Sequence, residues 1–142
     1  MLLRSSFETE AFAFDLALRM PAGTQAVALF GGMGAGKTTF ARGFFKGLGF
    51  CGFVTSPTYT IVNEYTPKLF HFDWYRLSGA DELEAAGLTE YIGGDAVALI
   101  EWPEKCWDAL PACHLRISMA YGTGENEREI TMIPSGGFRE EF

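Results

Sequence analysis

The segment Gly31, Gly32, Met33, Gly34, Ala35, Gly36, Lys37, Thr38 constrains this chain more than any other, because it meets the spacing G-x-x-x-x-G-K-[ST] in full. Its surroundings agree. Gln25 to Phe30 is nearly all apolar, as a strand covered on both faces must be, and after the motif Phe40, Phe44 and Leu48 recur on one helical face from Lys37 to about Leu48, with Gly49 as the stop. A glycine-rich turn between buried strand and helix lets backbone N–H groups converge on phosphate oxygens, while the helix N-terminus adds partial positive charge. The motif therefore predicts an ATP site formed by Gly32, Met33, Gly34, Ala35, Gly36, Lys37 and Thr38. Lys37 is expected to face solvent and reach the β- and γ-phosphates, and the Thr38 hydroxyl to bind Mg²⁺.

Such a loop needs a carboxylate to organise the metal and its waters, usually at the C-terminal end of a buried strand. Glu101 ends the run Ala96 to Ile100, and Asp73 ends Leu69 to Phe72. The strand before Glu101 is the more hydrophobic, which assigns Glu101 to the metal and leaves Asp73 near the γ-phosphate or one shell further out. Ser56-Pro57-Thr58 follows the motif at the distance of a γ-phosphate-sensing loop, and Ser56 and Thr58 can offer hydroxyls to phosphate or metal-bound water. It reads equally as a proline turn with capping hydroxyls. His71, between Phe70 and Phe72, reads as a packed sheet residue rather than a catalyst.

The remaining pattern completes an α/β reading. Ser6 is expected to cap a helix over Phe7–Arg19 whose face Phe7, Ala11, Phe14, Leu18 lies in the core. Tyr59–Tyr65 and Lys68–Asp73 form a hairpin or edge pair, Asp81–Leu88 a short helix with acid in its first turn, and Glu104–Trp107 a helical turn. Leu115, Ile117, Met119 and Tyr121 alternate along a strand that turns at Gly122–Asn126 and returns through Ile130 and Met132, antiparallel at a sheet edge. Residues 1–142 are expected to make one P-loop domain: a central, mostly parallel sheet flanked by helices, with antiparallel edge strands, a C-terminal hairpin and a flexible tail from about Ser135 to Phe142.

Composition narrows the function classes. With 142 residues, 48% of them hydrophobic and 20% charged, the chain is an ordinary globule. No apolar run approaches the roughly 20 residues of a membrane helix, and Cys51, Cys106 and Cys113 make neither a disulfide framework nor a zinc spacing, so a cytoplasmic protein with reduced thiols is expected. A net charge of −7 disfavours direct binding to nucleic acid, whose affinity comes from Lys and Arg neutralising phosphates.

Together these residues resemble one family, the bacterial ATPase TsaE, formerly YjeE. The likeness rests on Gly34-Ala35-Gly36-Lys37-Thr38-Thr39-Phe40 with Arg42-Gly43, on Ser56-Pro57-Thr58-Tyr59-Thr60, on His71-Phe72-Asp73-Trp74-Tyr75-Arg76-Leu77, on Glu82-Leu83-Glu84 and on Glu101-Trp102-Pro103-Glu104. The resemblance implies Lys37, Thr38 and Thr39 at the nucleotide, Thr58 in a switch-like loop, Asp73 as an essential acid and Glu101 on Mg²⁺. It implies further that the chain binds a complex of the TsaB and TsaD proteins, and that its ATP hydrolysis supports threonylcarbamoyl transfer to adenosine 37 of tRNA, with tRNA engaged only indirectly. Two positions depart from the family pattern: Gly32 stands where an acidic residue is usual, and Trp74 where a smaller aliphatic is common.

Two other classes compete. A small-molecule kinase would need a lid and an arginine cluster for a second phosphorylated substrate, and the chain is short for the one and lacks the other. A nucleotide-sensing binding module, in which hydrolysis is incidental, shares every motif above. A GTPase is disfavoured by the lack of an Asn-Lys-x-Asp segment.

Overall fold

A computed structural model describes residues 1–57 and 59–135, for 134 and 135 the backbone only. Its elements are β1 (Leu2–Leu3), α1 (Ser6–Arg19), β2 (Ala26–Phe30), α2 (Lys37–Gly47), β3 (Val62–Thr66), β4 (Leu69–Asp73), α3 (Ala80–Ala85), β5 (Val97–Glu101), β6 (His114–Tyr121) and β7 (Arg128–Ser135), with 3₁₀ turns at Thr89–Tyr91 and Pro103–Ala109. The tail expected beyond Ser135 lies outside the described residues; Ser135 itself ends β7. Among the described residues no helix is long and apolar enough to cross a membrane.

The seven strands form one sheet in the order β1-β7-β6-β2-β5-β4-β3. Its centre is parallel, β2 pairing with both β5 and β6 and β5 with β4, while β3, β7 and β1 join antiparallel. This is the α/β architecture expected. Alternation along the central strands divides the core: Val27, Leu29, Leu99, Leu115 and Ile117 pack under α1 and α2, whereas Ala26, Phe72, Ala98 and Ile100 meet Leu83 of α3 and Cys106 of the second 3₁₀ turn. Chain connections leave β2 toward β4 and return by β5, then cross to β6 on its other side. The carboxyl end of β2 is thus a topological switch point, the place where open α/β sheets leave a crevice.

Three local expectations are corrected. Ser5, not Ser6, caps α1: its backbone is extended (φ −154°, ψ 164°) and its Oγ accepts from Glu8 N–H at 3.1 Å. The helix buries Thr9, Ala13, Leu16 and Ala17, leaving Phe7, Phe14 and Leu18 exposed at 79, 38 and 62%. The reason is the approach of α2, where a Cβ on Gly43 would fall 2.1 Å from Glu10 O and one on Gly47 2.6 Å from Phe14 O. Backbones that close admit alanines between them and no stripe of phenylalanines. Finally, the C-terminal hairpin does not end the sheet. β6 pairs with β2, and β7 is covered by β1, with Leu2 opposite Glu129 and Leu3 opposite Arg128. Two residues are too few for an alternation to be read.

Candidate functional site

The loop between β2 and α2 is built as the motif requires, with Gly34 (φ +76°) and Gly36 (φ +100°) in the left-handed region closed to most side chains. Gly36 sits at the N-cap of α2, contributes no side chain there, and accepts the helix's first hydrogen bond from Phe40 N–H at 3.0 Å. The N–H groups of Lys37, Thr38 and Thr39 consequently have no partner within the helix and point at its N-terminal end, where an anion is favoured. Lys37 is 7% exposed rather than facing solvent. Its Nζ donates to Gly31 O at 2.7 Å and lies 3.9 Å from the centroid of the Trp102 ring. Burial pushes this ammonium below its usual 10.5, against Glu101, Asp73 and Glu104, which favour the charge.

Opposite the loop stand the two acids. Asp73 and Glu101 end adjacent parallel strands in register, and Ser56 Oγ lies between their carboxylates, 3.3 Å from Asp73 Oδ2 and 3.2 Å from Glu101 Oε2. Glu101 is buried and its Oε2 also meets His71 Nε2 at 2.6 Å. Trp102, next along the chain, adopts left-handed backbone (φ +56°, ψ +47°), a conformation uncommon for a bulky residue, and this turn carries its ring over Lys37.

Between loop and acids lies a cavity of about 630 Å³ whose wall includes Met33, Gly34, Gly36, Lys37, Thr38 and Thr39 on one side and Ser56, Asp73 and Glu101 on the other. Gly32 and Ala35 are not part of this wall: Ala35 N–H donates to Gly32 O at 3.2 Å and the Ala35 side chain is in the core. Thr58 lies outside the described residues. Gly32 has no positive φ, and a Cβ placed on it would meet nothing within 4 Å, so its departure from the acidic pattern has no steric origin. Trp74 is fully buried against Phe72, with its Nε1 lacking a hydrogen-bond partner.

The donor set suits the groups the motif calls for. An uncapped helix N-terminus with a lysine beside it fits a phosphate chain, and the hydroxyl of Thr38 with the carboxylates of Asp73 and Glu101 are the hard oxygen donors that Mg²⁺ takes. Among the described residues no group of three or more His, Cys, Asp or Glu could hold a metal by itself. Protein-poor coordination completed by substrate phosphate oxygens is the usual habit of Mg²⁺.

Several residues of the site escaped the sequence reading. Arg128 lines the cavity and its guanidinium grips the loop, Nε donating to Ala35 O at 3.0 Å and Nη2 to Gly34 O at 3.3 Å. Tyr121 Oη donates to Met33 O at 2.8 Å, and the Arg128 guanidinium carbon lies 4.7 Å from its ring centroid. Tyr121 and Arg128 are register partners flanking the β6–β7 turn. No local pattern in the sequence signals them; the pairing of β6 with β2 brings them to the loop. Of the two arginines in the segments that carry the resemblance, Arg76 lines the cavity, stacked over the Tyr59 ring at 4.9 Å, whereas Arg42 is exposed on α2 and outside the wall.

Comparison with known proteins gives a consistent picture. The family profile described as "Threonylcarbamoyl adenosine biosynthesis protein TsaE" matches residues 3–130. The chain is 45% identical over 110 residues to the tRNA threonylcarbamoyladenosine biosynthesis protein TsaE of Haemophilus influenzae, covering 75% of this chain and 68% of that protein. Against the protein of that name from Streptomyces coelicolor it is 38% identical over 122 residues, 82% of each. The crystal structure of Bacillus subtilis YdiB superposes with a TM-score of 0.72 at 34% identity, over 96% of this chain and 84% of that one.

Proposed function

Because the chain belongs to the TsaE family of threonylcarbamoyl adenosine biosynthesis proteins, we propose that it binds ATP with Mg²⁺ and hydrolyses it in support of threonylcarbamoyladenosine formation at adenosine 37 of tRNA, working through a TsaB–TsaD complex. The observation that carries this reading is the single cavity in which an uncapped helix N-terminus and Lys37 face two in-register carboxylates. In it, the N–H groups at the start of α2 and the Lys37 ammonium hold the phosphates, as do those of Met33, Gly34 and Gly36 in the loop. Thr38 and Glu101 hold Mg²⁺, which when bound neutralises charge on the phosphate oxygens. Asp73 stands beside them as the second acid, and Thr39 and Thr58 complete the contacts. Arg128 and Tyr121 brace the loop by holding the carbonyls of Gly34, Ala35 and Met33.

A net charge of −7 leaves little attraction for a polyanion, which supports an indirect route to tRNA through the partner proteins. Phosphate release measured with and without TsaB–TsaD tests the proposal. Slow hydrolysis alone that rises with the partners is expected, with tighter partner binding in ATP than in ADP. Nucleotide-dependent partner binding with negligible turnover would instead identify a sensing module.

A further inference from the structure

His71 is fully buried in β4, yet both of its ring nitrogens are engaged. Nε2 lies 2.6 Å from Glu101 Oε2 and Nδ1 2.9 Å from Tyr65 Oη. Tyr65 Oη in turn lies 3.0 Å from Thr55 O, and the next residue, Ser56, touches Glu101 Oε2 with its hydroxyl at 3.2 Å. The contacts therefore close into a ring: Ser56, Glu101, His71, Tyr65, Thr55 and back through one peptide bond to Ser56.

We propose that His71 is a positioning residue which locks the Thr55–Ser56 loop and the Glu101 carboxylate into one hydrogen-bonded unit, so that the acid's orientation follows the loop's position. The proton arrangement supports it. Tyr65 Oη donates its one proton to Thr55 O and accepts from His71 Nδ1–H, and a further proton lies between His71 Nε2 and Glu101 Oε2, so every link of the ring carries one hydrogen; Asn63 Nδ2 donates a second bond to Thr55 O at 3.0 Å. A second hydrogen bond fixing a ring's tautomer is how outer-shell partners aim an acid or ligand. Both bonds to the carboxylate fall on Oε2, and Oε1 takes neither. One ring nitrogen thus meets an acid of the cavity wall and the other a side chain that holds the loop carrying Ser56.

The idea rests on the nucleotide reading for its functional meaning but not for its test. Hydrogen exchange of the nucleotide-free protein is compared for the parent, His71→Leu, His71→Gln and Tyr65→Phe. Leucine removes both ring contacts; the glutamine amide can still donate to Oε2; phenylalanine breaks the ring at its far side. The Thr55 and Ser56 amides are expected to exchange about tenfold faster in His71→Leu and Tyr65→Phe than in the parent. In parallel, ADP binding is measured by calorimetry in Mg²⁺ and in EDTA. His71→Leu is expected to weaken binding about tenfold in Mg²⁺ and little in EDTA, with most of the loss recovered in His71→Gln. Unchanged exchange at the loop overturns the proposal, as does a parent-like Mg²⁺ dependence in His71→Leu, or a glutamine variant no better than leucine. Should His71→Leu fail to melt cooperatively, Tyr65→Phe carries both comparisons. A parent that binds no ADP would refute the nucleotide reading, and the exchange data would still decide the coupling.

Discussion

Lys37 Nζ is held between the carbonyl of Gly31 and the face of Trp102, 2.7 Å from the one and 3.9 Å from the ring centroid of the other. A cation so buried is costly by itself, and the neighbouring acids only partly offset that cost.

Lys37→Met is therefore expected to lower ATP turnover by about 10²-fold or more while leaving the fold as stable as before or more so. The pH dependence has a definite sign. With its folded value depressed below 10.5, the ammonium costs stability at neutral pH, and the cost is relieved as pH rises from the depressed value toward 10.5, where the unfolded chain still binds the proton. Urea melts at about pH 7 and about pH 10 should show the advantage of the methionine variant shrinking at the higher pH. A difference independent of pH would mean that burial of the lysine carries no penalty.

Glu101→Gln keeps the shape of the side chain and an oxygen for His71 and Ser56, but removes the charge. Binding of ADP in EDTA should stay within about threefold of the parent, while turnover in Mg²⁺ falls by about 10²-fold. Equal losses in both conditions would make the residue structural.

Gly32, Gly34 and Gly36, three of the loop's four glycines, should not behave alike. A Cβ on Gly34 would fall 2.6 Å from Tyr121 Oη and one on Gly36 3.3 Å from Met119 Cε, each at positive φ, whereas Gly32 is open. Thermal melts should place Gly32→Ala within about 0.5 kcal/mol of the parent and Gly36→Ala about 1–3 kcal/mol below it. A destabilised Gly32→Ala would contradict the loop geometry.

Arg128 holds two loop carbonyls with one planar fork. Arg128→Ala should weaken nucleotide affinity about tenfold, and Arg128→Lys should recover little, because an ammonium cannot span both carbonyls with fixed geometry. Full affinity in the lysine variant, read by calorimetry, would reduce Arg128 to a source of charge.

Trp74 buries a large ring and one unmet N–H donor. Trp74→Phe removes the unmet donor and should cost less than about 1 kcal/mol, whereas Trp74→Ala should cost about 3–5 kcal/mol. Chemical denaturation of the two variants makes the comparison.

Much of this architecture is legible in the chain itself. The apolar run before Gly31, the helix after Lys37, and the placing of Asp73 and Glu101 at strand ends all follow from local pattern, because each is specified within a few neighbouring residues. What was not legible depends on which segments meet. Period 3.6 shows that α1 has an apolar stripe at Phe7, Ala11, Phe14 and Leu18; it does not show that Gly43 and Gly47 of α2 select the opposite, small-residue face. His71 reads as core, and core it is, but the register of β4 on β5 also sets it behind Glu101, an acid of the site wall. Arg128 lies 93 residues beyond the Ala35 carbonyl that it holds, and only the parallel pairing of β2 with β6 brings the two together.

The seating of α2 on α1 has a mechanical consequence. With a backbone carbonyl of α1 standing where a side chain on Gly43 would be, the helix that carries Lys37, Thr38 and Thr39 has no room to slide or roll toward its neighbour. One jaw of the cavity is an anvil. On the proposed function, any stroke that accompanies the exchange of one nucleotide for another must come from the other jaw, where Thr55 and Ser56 are joined to the acids and to Tyr65 by hydrogen bonds. A force applied there by a partner would be felt first in that loop, and a substitution that loosened α1 from α2 would spend the stroke in the anvil instead.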